Sequence, residues 1–211
     1  MRHSLSEAPF GAFSCYSPYG TSETSVKSRK LCGLVKNANR RTLDSAMTIL
    51  ERRDPGIEVL DDFLNDSVTL VPVPRSAPLV DGALWPSEVV AETLQAHGFG
   101  EAVLPCISRV TPVRKSAFQA PGNRPTIEEH YDSLEVQGGL FQPDEITLVD
   151  DVITKGSTQL ACAMRLRDVF PNATIRAFAM VRTKGFGEIE TIVSPYQGRI
   201  FVSGLRGDRD D

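Results

Sequence analysis

The sequence ITLVDDVITKGST, residues 146–158, joins a short apolar run to two acids and then to a glycine surrounded by hydroxyl side chains. The run at 146–149 predicts a buried strand, because short apolar runs bounded by polar residues are typical of parallel sheets. Residues 157–170 follow with helical spacing, and residues 174–181 predict another strand. Strand, helix and strand in this order predict an α/β fold, with a mostly parallel sheet flanked by helices.

Other parts of the chain fit this architecture. Residues 68–74 predict a buried strand stopped by prolines, and residues 85–97 predict a helix with Pro86 in its first turn. Shorter elements are predicted as helices over 21–37, 41–53 and 59–64, and as strands over 102–107, 133–136, 189–193 and 199–202. The first twenty residues are predicted to be an irregular lead-in, and the terminal GDRDD a frayed end.

The composition is that of a globular chain with one core. It has 211 residues, of which 41% are hydrophobic and 24% charged. We expect a single domain, in which a helical and irregular segment of residues 1–66 packs on a core formed by residues 67–211. The net charge of -4 provides no global positive field. Contact with nucleic acid is therefore expected only through a partner protein.

The cysteines and the N-terminus bear on the cellular compartment. The four cysteines are widely spaced and contain no CxxC pair, so reduced, buried thiols are predicted. The N-terminus lacks the apolar core of a signal peptide, and no run reaches the length of a membrane span. We expect a cytoplasmic protein with no membrane partner. The cysteines are Cys15, Cys32, Cys106 and Cys162.

The acids and the turn after residues 146–149 predict a ligand site. Open α/β sheets bind ligands at the carboxyl ends of their strands, which is where Asp150 and Asp151 fall. Carboxylates accept hydrogen bonds from vicinal hydroxyls or bind a hydrated divalent ion, whereas the amides at a helix start favour a phosphate. A ligand that offers vicinal hydroxyls to the acids and a phosphate to the turn, which we call the cradle, is a ribose phosphate. The cradle consists of Thr154, Lys155, Gly156, Ser157 and Thr158.

Each of these features also has a plainer interpretation. Two aspartates at a strand end can simply cap the following turn, and TKGST can be an ordinary helix start. The turn is not a Walker A loop, which needs a further glycine before Gly-Lys-Ser/Thr, and it is not a Gly-x-Gly-x-x-Gly dinucleotide turn. The combination of strand, acids and turn is what favours a ligand site.

The complete block resembles the signature of the type I phosphoribosyltransferase family, an apolar strand followed by two acids and a loop containing Thr and Gly. The resemblance implies a Rossmann-like core with a small variable hood, to which residues 1–66 contribute. It implies that Asp150 and Asp151 are the catalytic residues: they bind the ribose hydroxyls of phosphoribosyl pyrophosphate and hold Mg²⁺ through water or those hydroxyls. It also implies that residues 154–158 bind the 5′-phosphate. Lys155 departs from the pattern, because many members carry a second Thr there.

A second matching element precedes the acids. The sequence VPVPRS, residues 71–76, ends a predicted strand where the family has its pyrophosphate loop, so Arg75 and Ser76 are expected to bind the diphosphate. Residues 109–124, within the long polar segment 108–132, take the position of the family's mobile flap. A solvated basic loop is the alternative. Among the histidines, His130 is the one predicted to reach the site. The flap candidates are Arg109, Arg114, Lys115 and Arg124.

The order VPVP, RVTP and LVDDVITKGST is most similar to the late-competence phosphoribosyltransferase-like proteins associated with DNA uptake, although their cysteine-rich zinc segment is absent. The resemblance implies transfer of a phosphoribosyl group to a nitrogenous base, with release of pyrophosphate. The alternative is a non-catalytic protein that binds phosphoribosyl pyrophosphate or a nucleotide, as a regulator or partner in DNA uptake, defence or nucleic-acid metabolism. The acceptor base and a homo-oligomeric state stay open. Candidates for stacking on a base are Tyr16, Tyr19, Phe186 and Tyr196.

Overall fold

The computed structural model describes residues 5–114, 124–139 and 141–210, and it confirms the predicted α/β class. The strands are β1 (Glu7–Tyr16), β2 (Thr69–Pro72), β3 (Ala102–Val103), β4 (Ile107–Arg109), β5 (Leu134–Val136), β6 (Glu145–Ile153), β7 (Thr174–Thr183), β8 (Val193–Ser203) and β9 (Arg206–Arg209). The helices are α1 (Glu23–Lys36), α2 (Arg40–Glu51), α3 (Pro86–Ala96), α4 (Ile127–Asp132) and α5 (Ser157–Val169), with a 3₁₀ turn at Ile57–Leu60.

Seven of the strands form one sheet in the order β3-β2-β6-β7-β1-β8-β9. The neighbours from β3 to β1 are parallel, and β8 and β9 add antiparallel strands at one side. Strands β4 and β5 form a separate antiparallel pair. Because β2, β6, β7 and β1 are parallel, their carboxyl ends meet at one edge, where ligands of α/β sheets bind.

The sheet separates two apolar cores. Side chains alternate along a strand, so Leu148 of β6 packs against Leu160 of α5 in one core, whereas Val149 packs with Phe178 and Leu43 in the other. The first core contains α4 and α5, and the second contains α1, α2 and α3. Truncating a fully buried leucine such as Leu148 to alanine typically costs about 2–5 kcal/mol, so both cores hold β6 firmly in place.

Strand β6 is longer than the predicted run 146–149 and continues through both aspartates to Ile153. Strand β7 pairs along this extension, with Asp150 opposite Ala179. Strand β2 pairs with β6 only as far as Pro72, opposite Val149. Beyond that pair β6 continues beside β7 alone, and this step in the sheet gives room for a cleft beside the acids.

The first twenty residues differ most from the prediction. The irregular lead-in is wrong for Glu7–Tyr16, which forms β1 between β7 and β8. Proline, glycine and serine in this segment resemble a loop in composition, but Gly11 has a packing role. A Cβ at Gly11 would lie only 3.0 Å from the Phe63 ring. The contacts that make this segment a strand come from distant parts of the chain.

The C-terminal prediction is corrected in a similar way. The segment expected to fray instead contributes to β9, whose Gly207 amide donates a hydrogen bond to Ser157 Oγ at 2.9 Å. The predicted helix 59–64 is the 3₁₀ turn, the strand 102–107 divides into β3 and β4, and residues 193–203 form the single strand β8. The four cysteines are free and buried, as predicted. No helix in the described part of the chain is long and apolar enough to cross a membrane.

Candidate ligand-binding cleft

A cleft of about 740 Å³ lies beside the carboxyl end of β6. The predicted site residues along it are Arg75, Ser76, Arg109, Arg114, Arg124, Asp150, Asp151, Thr154, Lys155, Gly156, Ser157 and Thr158. Lys115, a flap candidate, lies outside the described residues. The fold thus brings together three segments that are far apart in sequence. We call the side formed by Asp150, Asp151 and residues 154–158 the acid wall, and the side formed by Arg109, Arg124 and His130 the basic wall.

The two aspartates of the acid wall have different surroundings. Asp150 is only 8% exposed, and its Oδ1 accepts hydrogen bonds from Ser87 Oγ at 3.1 Å and from Asp151 N at 2.9 Å. Gln159 Nε2 donates to its Oδ2. Burial and then the neighbouring Asp151 raise the pKa of Asp150 well above its usual range. Helices α3 and α5 therefore hold Asp150 in the protein interior.

Asp151 lies on the other side of β6, because successive side chains of a strand point to opposite faces. It is partly exposed, and it lines the cleft together with Lys36 at the end of α1. Burial raises the pKa of the Cys32 thiol to about 11. Nearby Lys36 lowers this pKa and nearby Asp151 raises it, so both charges lie close to the same thiol. Asp151 is therefore the aspartate better placed to reach a ligand.

The turn 154–158 has the geometry of an anion cradle. Gly156 is the N-cap of α5 with φ +81°, a left-handed conformation that favours glycine. A Cβ at this position would overlap the side chain of Ile200 in β8. The first amides of a helix have no acceptor within the helix, and the helix dipole favours negative charge at this end. The predicted glycine turn at the start of α5 is thus present, and its binding of a phosphate stays a prediction.

Strand β9 packs against this turn. Gly207 N bonds to Ser157 Oγ, and a Cβ on Gly207 would lie 2.8 Å from Ser157 N. Lys155 Nζ forms an ion pair with Asp208 Oδ1 at 2.7 Å. Lys155, predicted as a phosphate contact, is therefore paired with a carboxylate at the rim of the cleft.

Arg75 and Arg114 are exposed residues at the edge of the cleft. Arg75 follows β2 and donates from Nη1 to Leu84 O at 2.8 Å. Arg114 forms an ion pair with Glu129 at 3.1 Å. Both guanidinium groups are on the surface, where their charge is available to an anionic ligand at little desolvation cost.

Arg109, predicted as a flap residue, is instead the last residue of β4 and is 4% exposed. Its Nε donates to Arg75 O at 2.6 Å, and its Nη1 donates to Ser133 Oγ. Ser133 Oγ in turn donates to His130 O at 2.6 Å. Arg109 thus connects the loop after β2 with α4, and it places a buried positive charge in the lining of the cleft.

Polar atoms of the basic wall are buried without a hydrogen-bond partner among the described residues. They are Arg109 Nη2, Arg124 Nε and both ring nitrogens of His130. His130 is 3% exposed, and burial followed by nearby Arg109 lowers its pKa to about 4. The ring is therefore neutral at pH 7, with one N–H donor and one acceptor nitrogen. Buried polar groups in proteins are generally paired, so these atoms need an explanation.

Several residues of the cleft were not predicted from the sequence. Gln159 is a buried polar residue in the first turn of α5, and a polar side chain in an otherwise apolar helix face was its only signal. Ser87 lies in the first turn of α3 and had no signal that linked it to Asp150. Lys36, Arg206 and Asp208 line the cleft from the N-terminal and C-terminal parts of the chain. Only the tertiary structure brings them to the site.

The aromatic residues proposed for base stacking do not line the cleft within the described part of the chain. Tyr19 and Phe186 stack on each other at the surface, with ring centroids 4.8 Å apart and an interplanar angle of 12°. Tyr16 and Tyr196 pack against the two cores. Base stacking by these residues stays a prediction.

In residues 5–114, 124–139 and 141–210, no group of three or more His, Cys, Asp or Glu residues is arranged to hold a metal ion. No protein-family model matches the chain, and no curated protein matches it significantly. Inference about function therefore depends on the chemistry of the cleft.

Proposed function

We propose that the chain is a phosphoribosyltransferase-type protein, with a type I phosphoribosyltransferase-like form of the α/β fold, that binds phosphoribosyl pyrophosphate or a ribose phosphate. The supporting observation is that the turn 154–158, Asp151 and Arg75 line one cleft. In this arrangement the turn binds the 5′-phosphate, Asp151 accepts hydrogen bonds from the ribose hydroxyls, and the basic groups meet the diphosphate.

The proposed reaction transfers the phosphoribosyl group to a nitrogenous base. The bond between the anomeric carbon and the diphosphate oxygen breaks, and pyrophosphate leaves. A bond from the base nitrogen to that carbon forms, and the base nitrogen releases its proton to water. The transition state has oxocarbenium character, so the Asp151 carboxylate offsets positive charge while Arg75 stabilises the leaving diphosphate. The protein acts by positioning and electrostatics, and no covalent nucleophile is needed.

A magnesium ion fits the donors of the acid wall. Mg²⁺ keeps several waters and is usually bound by one or two carboxylates together with substrate phosphates. The Asp150 oxygens already accept hydrogen bonds from Ser87, Gln159 and Asp151 N. Asp151 would therefore hold the ion, through water or the ribose hydroxyls. When bound, the ion would neutralise charge on the diphosphate.

Calorimetric titration with phosphoribosyl pyrophosphate, with and without Mg²⁺, tests the proposal. We expect Mg²⁺-dependent binding that is abolished in the double variant Asp150→Asn/Asp151→Asn. The matched control is Asp61→Asn/Asp62→Asn, which changes another adjacent pair of aspartates on the exposed surface. Unchanged binding in the cleft variant, with both variants folded, contradicts the proposed site.

A pyrophosphate-release assay with a panel of bases then separates the two functions. Base-dependent release supports the transferase and identifies the class of acceptor. Binding without release favours the alternative, a non-catalytic regulator or partner protein that uses the same cleft to bind phosphoribosyl pyrophosphate or a nucleotide.

A further inference from the structure

His130 is a buried side chain of the cleft for which the fold itself provides no role. It lies in α4, whose start is fixed by a reciprocal capping box between Thr126 and Glu129. Both ring nitrogens lack a hydrogen-bond partner among the described residues. A histidine that served packing alone would normally have at least one nitrogen paired, because an unpaired buried polar group destabilises the fold.

The surroundings of His130 point to an anion. Arg109, which is also buried, acts electrostatically on the ring and has its Nη2 unpaired among the described residues. Arg124 Nε is also buried without a partner among the described residues, and all three side chains line the cleft. A guanidinium group whose remaining N–H is unpaired is well suited to a phosphate oxygen, and a neutral imidazole can add one further N–H donor.

We infer that His130 is an anion-binding residue that determines specificity: with Arg109 and Arg124 it binds the diphosphate end of the ligand, while the turn 154–158 binds the phosphate at the other end. That the group bound by His130 is a diphosphate rests on the proposed function. The role of His130 rests on the unpaired atoms themselves. A ligand that carries phosphate at one end only leaves these donors unpaired, and a site built to hydrogen-bond a group rejects ligands that lack it.

The test uses inorganic pyrophosphate and ribose 5-phosphate as separate calorimetric probes of the full chain. In His130→Phe, which keeps a ring of similar shape without nitrogens, we expect the affinity for pyrophosphate to fall about tenfold or more, as for loss of a hydrogen bond to a charged group. The affinity for ribose 5-phosphate should stay within about twofold, because the turn 154–158 is unchanged. The matched control is His97→Phe, which removes a histidine that pairs with Glu51 outside the cleft.

Thermal unfolding separates a binding role from a structural role. Because the fold gives the His130 nitrogens no partner among the described residues, His130→Phe should unfold at a temperature equal to or above that of the unchanged protein. Unchanged pyrophosphate affinity, or equal losses for both ligands together with a lower unfolding temperature, would overturn the inference.

A measurement on the unchanged protein covers the case in which the variant does not fold. With ¹⁵N-labelled histidine, addition of pyrophosphate should shift the ring nitrogen signals of His130 and leave those of His97 in place. Failure of pyrophosphate to bind, or binding without a His130 shift, overturns the inference. If pyrophosphate binding depends on His130 but phosphoribosyl pyrophosphate does not bind, the proposed function fails and the inference stands.

Discussion

The two walls of the cleft differ in how their polar groups are paired. On the acid wall the contacts are made within the protein: Asp150 accepts from Ser87 and Gln159, and Lys155 pairs with Asp208. On the basic wall, Arg109 and His130 have buried nitrogens without a partner among the described residues. Asp150 and Lys155 are thus paired by folding, whereas Arg109 and His130 keep donors that a ligand can pair with.

This difference indicates where stability and binding reside. A side chain with internal partners stabilises the fold, and its removal leaves those partners unpaired. A buried donor without a partner disfavours folding, and it favours the binding of a ligand that pairs with it. Substitutions of internally paired or tightly packed residues of the acid wall should therefore change mainly the free energy of unfolding, whereas substitutions of Asp151 and of the basic wall should change mainly affinity.

The largest expected effect is on folding. Gly156→Ala should lower the free energy of unfolding by roughly 2–5 kcal/mol, because alanine is strained in a left-handed backbone conformation and its Cβ collides with Ile200. Gly185→Ala is the matched control, because Gly185 has φ +69° but open space around it, and it should lose only about 1–2 kcal/mol. Chemical denaturation measures both. Equal losses would show that the contact between β8 and the turn does not hold the acid wall.

The next largest effect is on binding, and it distinguishes the two aspartates of the acid wall. Asp151→Asn should weaken binding of phosphoribosyl pyrophosphate about 10- to 100-fold, as expected when a charged hydrogen-bond acceptor is lost. Asp150→Asn should weaken it less, because Asp150 faces Ser87 and Gln159. Calorimetry on the two single variants makes the comparison. A larger loss for Asp150→Asn would mean that the buried carboxylate turns toward the ligand.

A smaller difference should depend on pH. The pKa of Asp150 is raised in the folded protein, so this residue favours folding most below the ordinary carboxyl pKa of about 4. Its contribution is lost as pH rises through the raised pKa. Relative to the unchanged protein, Asp150→Asn should therefore gain unfolding free energy as pH rises from about 4 toward 7. Denaturation curves across this range measure the trend. Asp62→Asn, which removes an exposed carboxylate, is the control measured alongside.

Local patterns predicted the acid wall well. The apolar run of β6, the spacing of α5 and the glycine at 156 are signals that lie close together in sequence, and all three elements are present. The positions of Asp150 and Asp151 on opposite faces also follow from strand geometry. The sequence did not indicate which aspartate is buried, because the partners of Asp150 come from α3 and α5.

Signals for the basic wall and for β1 were not local. The residues around Arg109 are polar and basic, as expected of a flap. The pairing of β4 with β5 nevertheless sets Arg109 opposite Leu134 and buries it. Strand β1 contains Pro9 and Gly11, which suggest a loop, and only its pairing with β7 and β8 makes it a strand. Tertiary contacts override local propensity in such cases.

The smallest expected effect concerns the contact between the acid wall and β9. Lys155 and Asp208 are each at least a third exposed, so their ion pair contributes only about 0–1 kcal/mol to folding. Asp208→Asn should leave the free energy of unfolding within that range. It should also strengthen binding of ribose 5-phosphate by roughly two- to fivefold, because it removes a negative charge near the phosphate and releases Lys155.

Two further measurements show whether Asp208 competes with the phosphate for Lys155. The gain in affinity should shrink as salt is added, because exposed charges are screened. It should also be smaller in Lys155→Met/Asp208→Asn than in Asp208→Asn alone, since the released lysine is then absent. If Asp208→Asn instead weakens the binding of ribose 5-phosphate, the ion pair shapes the turn 154–158 rather than competing with the ligand. The acid wall would then depend on β9 as fully as it depends on α3 and α5.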